Sequence, residues 1–109
     1  MGPHRSINPP QGHEVHDDTA LLIEVCSIDS IWGREQQLAE FFADRLRQWG
    51  CDDVQLVESR PGRSSVGARL NGTGTGRSLV LNGHLDIYEL SEDWTRNPFA
   101  AALEDGKVY

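Results

Sequence analysis

The sequence predicts an α/β fold, because the spacing of its apolar residues changes from a helical to an extended pattern near residue 50. Leu21, Leu22 and Val25 recur at helical spacing, after two aspartates that can cap the start of a helix. From residue 54 onward, short runs typical of strands alternate with turns rich in proline and glycine. With 109 residues, the chain amounts to one small domain or to part of a larger one.

Two helices are predicted in the first half of the chain, from about residue 17 to 27 and from about 33 to 49. Gly50 stands where a left-handed residue commonly ends a helix. Glu35 is placed among the polar residues of the second helix. The apolar positions of that helix form one stripe that predicts packing and not chemistry: Leu38, Phe41, Phe42, Leu46 and Trp49.

Strands are predicted at residues 54–58 and 66–70, on either side of a turn at 61–64. The glycine-rich run at 71–76 then leads into a third apolar run at 79–81. A phosphate-binding glycine loop would instead lead into a helix, whose N-terminus receives the phosphate. We therefore interpret the glycine run as a hairpin connection, and neither a P-loop nor an NAD-binding domain is indicated.

Composition narrows the classes of partner and location. Seventeen acidic residues against ten basic ones give a net charge of -7, which does not favour binding to nucleic acid or to an anionic membrane. The longest apolar run, at 20–23, is too short to span a bilayer. Two cysteines do not form a disulfide framework, so a cytoplasmic location is expected. Residues 1–16 are predicted to be a flexible leader whose three histidines are incidental.

A histidine and an aspartate follow the third apolar run. Three apolar residues in a row favour a strand buried on both faces, and such strands have ligand sites beyond their carboxyl ends. His84 and Asp86 lie there and project to the same side of an extended chain, so Asp86 could accept a hydrogen bond from His84. Gly83 would allow a close approach of the backbone. The pattern predicts a metal ligand with a supporting acid, although a surface histidine beside an acid has the same pattern.

Several ordered motifs strengthen this prediction. Residues 79–86 resemble the first metal-ligand strand of the family that holds acetylornithine deacetylase, succinyl-diaminopimelate desuccinylase, aminoacylase-1 and glutamate carboxypeptidase. Residues 93–99 are similar to its Trp-x-x-x-Pro-Phe loop, and residues 103–109 to the hairpin before its Gly-Arg-Gly segment and second metal-binding aspartate. Residues 35–50 and 62–66 are similar to its second helix and its Gly-Arg-x-Asn-Val turn.

The resemblance implies the truncated N-terminal part of a mixed-sheet α/β/α zinc-peptidase domain (phosphorylase/hydrolase-like), with residues 17–109 as its first helices and strands. It implies a pair of zinc ions, for which cobalt could substitute, with His84 as a metal ligand and Asp86 as a catalytic residue that supports it. The remaining ligands and the general base would lie beyond Tyr109. The expected substrate is an N-acyl amino acid or small peptide, and the complete protein could be a homodimer.

Two hypotheses of function remain open at this point. The first is a zinc-dependent amidohydrolase of which this chain is a fragment, and the second is a truncated, inactive product or a small binding module. Because a catalytic zinc needs about three protein ligands, the chain is expected to be inactive by itself. An apolar strand at 79–81 without neighbours would also promote association and leave the chain only marginally stable.

Overall fold

The computed structural model describes residues 17–109, so the predicted leader and its histidines lie outside the described residues. Two helices and two small antiparallel sheets confirm the α/β prediction, but neither sheet is mixed. Neither described helix is long and apolar enough to cross a membrane. The elements are α1 (Asp17–Cys26), α2 (Gln36–Gln48), β1 (Asp53–Arg60), β2 (Arg63–Arg69), a 3-10 helix (Pro98–Ala100), β3 (Leu103–Glu104) and β4 (Lys107–Val108).

Helix α2 begins three residues later than predicted, because Gly33 has a φ of +93° that no right-handed helix can include. Its end agrees with the prediction. The N–H of Trp49 donates to the carbonyl of Arg45, and Gly50 follows with a φ of +81°. Gly50 is therefore the left-handed residue after the helix, a conformation that glycine adopts without a steric penalty.

The buried face of α2 packs against the hairpin of β1 and β2. Its central residues are Leu38, Ala39 and Ala43, of which both alanines are fully buried. The predicted aromatic stripe is only partly correct: Phe41 and Phe42 are half-buried, and Trp49, also part of that stripe, is 55% exposed.

Strands β1 and β2 form an antiparallel hairpin that pairs from Asp53 and Arg69 to Arg60 and Arg63. The two predicted strands are thus confirmed, and each begins before its predicted position. The turn contains only Pro61 and Gly62, and the N–H of Gly62 donates to a carboxylate oxygen of Glu58 at 2.7 Å. The register shifts between Glu58 and Arg60, as expected for a β-bulge beside a turn.

The third predicted strand does not form. Leu79, Val80 and Leu81 are 83%, 83% and 86% exposed, and among residues 17–109 no backbone hydrogen bond reaches them. The predictions of a strand buried on both faces, and of a hairpin connection at residues 71–76 leading into it, are therefore wrong. An apolar run becomes a buried strand only where neighbouring strands satisfy its backbone and other elements cover its faces.

The predicted C-terminal hairpin is confirmed by β3 and β4, where Leu103 pairs with Val108 and Glu104 with Lys107. Its turn is an Asp-Gly pair in which both residues have positive φ, the arrangement typical of a two-residue hairpin turn. Arg96 joins this hairpin to the preceding loop, because its guanidinium contacts the Glu104 carboxylate at 3.1 Å.

The packing of α2 predicts the effect of Ala43→Leu. Ala43 is fully buried against the hairpin, so the larger side chain should reduce the free energy of unfolding by about 1–3 kcal/mol, as overpacking does. Urea unfolding followed by far-UV circular dichroism measures it. Ala20→Leu, on the exposed face of α1, is the matched control and should change stability by less than about 0.5 kcal/mol. Equal effects of the two substitutions would contradict the assigned packing.

The exposed apolar run at 79–81 predicts that the chain self-associates. Val80→Lys should shift the protein toward monomer, since a charge in such a run opposes edge-to-edge pairing. Sedimentation velocity over a range of concentrations measures the change. Leu70→Lys is the control, because Leu70 is an exposed apolar residue outside the run. A wild-type chain that stays monomeric and unfolds sharply and reversibly would disprove the prediction.

Candidate functional site

His84 and Asp86 lie together in residues 82–86, an irregular and partly exposed segment that we call the His84 turn. The Nδ1 atom of His84 is 2.7 Å from the backbone carbonyl oxygen of Asp86 and 3.4 Å from its carboxylate oxygen Oδ1. A carbonyl oxygen only accepts hydrogen bonds, so Nδ1 carries the proton in the neutral ring and Nε2 keeps a free lone pair. The predicted contact is therefore made, with the carbonyl group as the closer acceptor.

The residue after the turn attaches it to the segment between the two helices. The N–H of Ile87 donates to the carbonyl of Ser30 at 3.0 Å, and the N–H of Trp32 donates to the carbonyl of Ile87 at 3.0 Å. These two bonds form a parallel bridge between Ile31 and Ile87. Ser30 and Ile31 are both buried, so the turn is attached to a buried part of the chain.

A part-buried ion pair joins the same segment to the start of β2. The Glu35 carboxylate accepts two hydrogen bonds from the guanidinium of Arg63, at 2.6 and 3.0 Å, and a third from the N–H of Gly33 at 2.8 Å. Glu35 is only 5% exposed. The Arg63 hydrogen bonds lower the pKa of Glu35 from its ordinary 4.5 to about 2, with burial acting in the opposite direction and the Gly33 bond adding to the decrease.

Glu35 was predicted on the polar face of a helix, and this prediction is wrong. The residue precedes α2 and turns inward to Arg63, which lies 28 positions away. Neither residue stands out in the sequence, because an acid beside a helix start and an arginine in a turn are both common on surfaces. The only available signal is that Arg63 belongs to the Gly-Arg motif that resembles the family's turn.

An open cleft of about 410 Å³ lies between the start of β2 and the His84 turn. Its hairpin side carries basic and hydroxyl groups, and its other side carries the imidazole and the acid of the turn. Glu35 and Arg63 line the same cleft as His84, so the ion pair and the candidate ligand face one space. Among the lining residues are Glu35, Arg60, Arg63, Ser65, His84 and Asp86.

Residues 17–109 do not form a complete metal site. A free Nε2 atom on an oriented ring is suited to one zinc ligand, and a carboxylate lies next to it. No group of three or more His, Cys, Asp or Glu side chains in this part of the chain could hold a metal ion. The ligand role of His84 and the catalytic role of Asp86 therefore stay predictions.

Gly83 does not act as predicted. A Cβ atom at this position would meet no atom within 4 Å, and its φ lies outside the left-handed region. Within the described residues, a close approach of the backbone is therefore not the reason for glycine here. The exposure of the turn leaves this position sterically unrestricted.

Comparison with known proteins finds similarity to desuccinylases and to a deformylase. The chain is 32% identical over 97 residues to the succinyl-diaminopimelate desuccinylase of Methylorubrum extorquens, which is 86% of this chain and 25% of that protein. It is 28% identical over 96 residues to a probable succinyl-diaminopimelate desuccinylase of Staphylococcus epidermidis, at 85% and 23% coverage. It is 35% identical over 77 residues to an N-formyl-4-amino-5-aminomethyl-2-methylpyrimidine deformylase of Halalkalibacterium halodurans, at 67% and 17% coverage.

These relatives are enzymes that remove acyl groups, as their names state. The described residues of this chain form a small α/β unit. The resemblance seen in the motifs is confirmed as a partial match to the family that contains succinyl-diaminopimelate desuccinylase. The chain spans about a quarter of the length of the desuccinylases that it matches. No family model and no solved structure gives a significant match.

The Glu35 ion pair predicts a specific pH dependence. Because the folded-state pKa is about 2 and the ordinary value is 4.5, the unfolded chain binds the proton first as the pH falls. The stabilisation is fully present above pH 4.5, decreases between 4.5 and about 2, and is absent below. Glu35→Gln should lower the free energy of unfolding at neutral pH, and that free energy should then fall less steeply between pH 4.5 and about 2. Urea unfolding across this range measures it.

Glu40→Gln is the matched control for this experiment, since it removes an exposed carboxylate from α2. Its unfolding free energy should follow the wild-type pH dependence. A Glu35→Gln protein with an unchanged acid decrease would show that the pair does not contribute to it.

Proposed function

We propose that this chain is part of a metal-dependent hydrolase that cleaves the amide bond of an N-acyl amino acid or small peptide. The observation that carries the proposal is the orientation of His84, whose Nδ1 is held by the carbonyl of Asp86 so that Nε2 is left free. This turn lies in the motif that resembles the family's first metal-ligand strand. The names of the relatives, a desuccinylase and a deformylase, support an acyl group on nitrogen as the target.

Each residue of the turn has a separate role in this proposal. His84 is a metal ligand through Nε2, and the Asp86 carbonyl fixes the ring and its tautomer. The Asp86 carboxylate lies 3.4 Å from Nδ1, where it would help to hold the ligand ring in place. A zinc pair bound at such a site would polarise the amide carbonyl and lower the pKa of a bound water.

Residues 17–109 supply one ligand, whereas a catalytic zinc takes about three. We therefore propose that the other ligands, the general base and the mixed α/β/α sheet come from further polypeptide. Zinc as the metal, a small N-acyl substrate, a dimer of the complete protein and a cytoplasmic location belong to the same proposal. They derive from the family resemblance and from composition.

A second candidate is a truncated, inactive product, favoured because residues 17–109 contain no group of three or more side chains that could hold a metal ion. The nucleic acid sequence beyond the Tyr109 codon distinguishes the two. An open reading frame that continues into Gly-Arg-Gly and a second aspartate supports the hydrolase. A stop codon directly after Tyr109 overturns it in favour of the inactive product.

In a protein that includes this continuation, substitutions of His84 and Asp86 should change turnover and zinc content to different extents. Asp86→Asn keeps the carbonyl acceptor and should lower turnover of N-succinyl or N-formyl amino acids by about 10–100-fold. His84→Ala removes the ligand and should cause a larger loss together with reduced zinc content. Metal analysis and amine release measure both quantities.

Glu89→Gln is the control, because Glu89 is an exposed acid near the turn that is not assigned a role. It should keep normal zinc content and turnover. Near-normal hydrolysis in both the His84 and the Asp86 variants would disprove the proposed roles.

A further inference from the structure

We propose that Glu35 and Arg63 are positioning residues for the His84 turn. Their ion pair acts through Trp32 and the backbone bridge to Ile87, and so determines where the imidazole of His84 points. This inference rests on the proposed function only in giving His84 a ligand role. The structural connection itself is carried by contacts within residues 17–109.

The first step is the attachment of the segment between the helices to the hairpin. Glu35 lies at the end of this segment and Arg63 is the first residue of β2. The carboxylate receives two donors from Arg63 and one from the Gly33 N–H, so both oxygens are bonded. A charge buried to this extent is costly unless it is paired, and the pairing therefore defines one relative position of the two elements.

The second step is Trp32, which contacts Arg63 of the ion pair and Ile87, the residue after the turn. The Arg63 guanidinium carbon lies 4.7 Å from the centroid of the Trp32 ring, a cation–π distance. The Trp32 side chain is 65% exposed, so burial alone does not hold it, whereas its backbone N–H is bonded to the carbonyl of Ile87. Arg63 thus stabilises the residue that holds one side of the Ile87 bridge.

The third step is the small number of other contacts made by the turn. His84 has a side chain that is 82% exposed, and Asp86 one that is 44% exposed. In the part of the chain that is described, the backbone of residues 82–87 is hydrogen-bonded to other backbone groups only through Ile87, to Ser30 and Trp32. The orientation of the turn is therefore set by that bridge together with the half-buried residues Leu85 and Asp86.

If the ion pair had only a structural role, its removal would lower global stability without a specific effect on the turn. The two roles are separated by measuring amide hydrogen exchange and His84 ring 15N shifts in the 109-residue chain by NMR. The ratio of Ile87 to Ala43 protection is informative, because Ala43 is fully buried in the middle of α2 and its amide reports on global unfolding. The ring shifts report the tautomer.

Arg63→Ala should lower the Ile87 to Ala43 protection ratio by about tenfold or more, as expected from the loss of charged hydrogen bonds. The His84 ring shifts should move from the Nδ1-protonated pattern toward an average of the two tautomers. Arg63→Lys keeps the charge without the two-pronged geometry, and should give a smaller change of the same kind in a protein that folds.

Arg45→Ala is the matched control, because Arg45 pairs with Glu24 between the two helices, and neither residue lines the cleft. It should lower global stability and leave the protection ratio and ring shifts unchanged. An unchanged ratio and unchanged ring shifts in folded Arg63→Lys and Arg63→Ala proteins would overturn the positioning role. The proposed function is tested separately, by the zinc content of the His84→Ala variant of the protein that includes the continuation. An unaltered zinc content there would contradict the ligand role of His84 without bearing on the positioning role.

Discussion

The arrangement of this chain depends on the ion pair between Glu35 and Arg63. Taking a carboxylate out of water is unfavourable unless its oxygens are fully bonded, and here two guanidinium donors and one backbone N–H satisfy them. Because the two residues lie 28 positions apart, their pairing brings the segment after α1 against the start of β2. Helix α2 then packs its alanine face on the same hairpin, and the two contacts reinforce each other.

The candidate ligand is oriented by the backbone around it. Its ring is held by a carbonyl two residues away, and Ile87 is bonded to Ser30 and Trp32 in the segment that ends in the ion pair. The ring is nevertheless 82% exposed, and the apolar run that precedes it has no backbone partner in the described residues. The local carbonyl contact is enough to fix the tautomer of the ring. A complete set of ligands and a strand both need neighbours in space, and for this reason neither is formed within the described residues.

Elements with a local cause could be predicted from the sequence. Gly50 ends α2 and the Pro61-Gly62 turn joins β1 to β2, because these residues fit backbone conformations that others adopt at a cost. His84 and Asp86 were expected together because they are two positions apart. Glu35 could not be assigned to the site in this way, since its burial results from a distant arginine that no local pattern specifies.

The sequence by itself determined the α/β character, the two helices, the two hairpins and the motifs that connect the chain to an acyl-removing enzyme family. These depend on local conformational preference and on the identity of nearby residues. Only the tertiary structure decided that Glu35 is buried and that Leu79, Val80 and Leu81 are exposed. Burial depends on which groups meet in space, which is why an acid turns inward to a distant cation here while an apolar run stays uncovered.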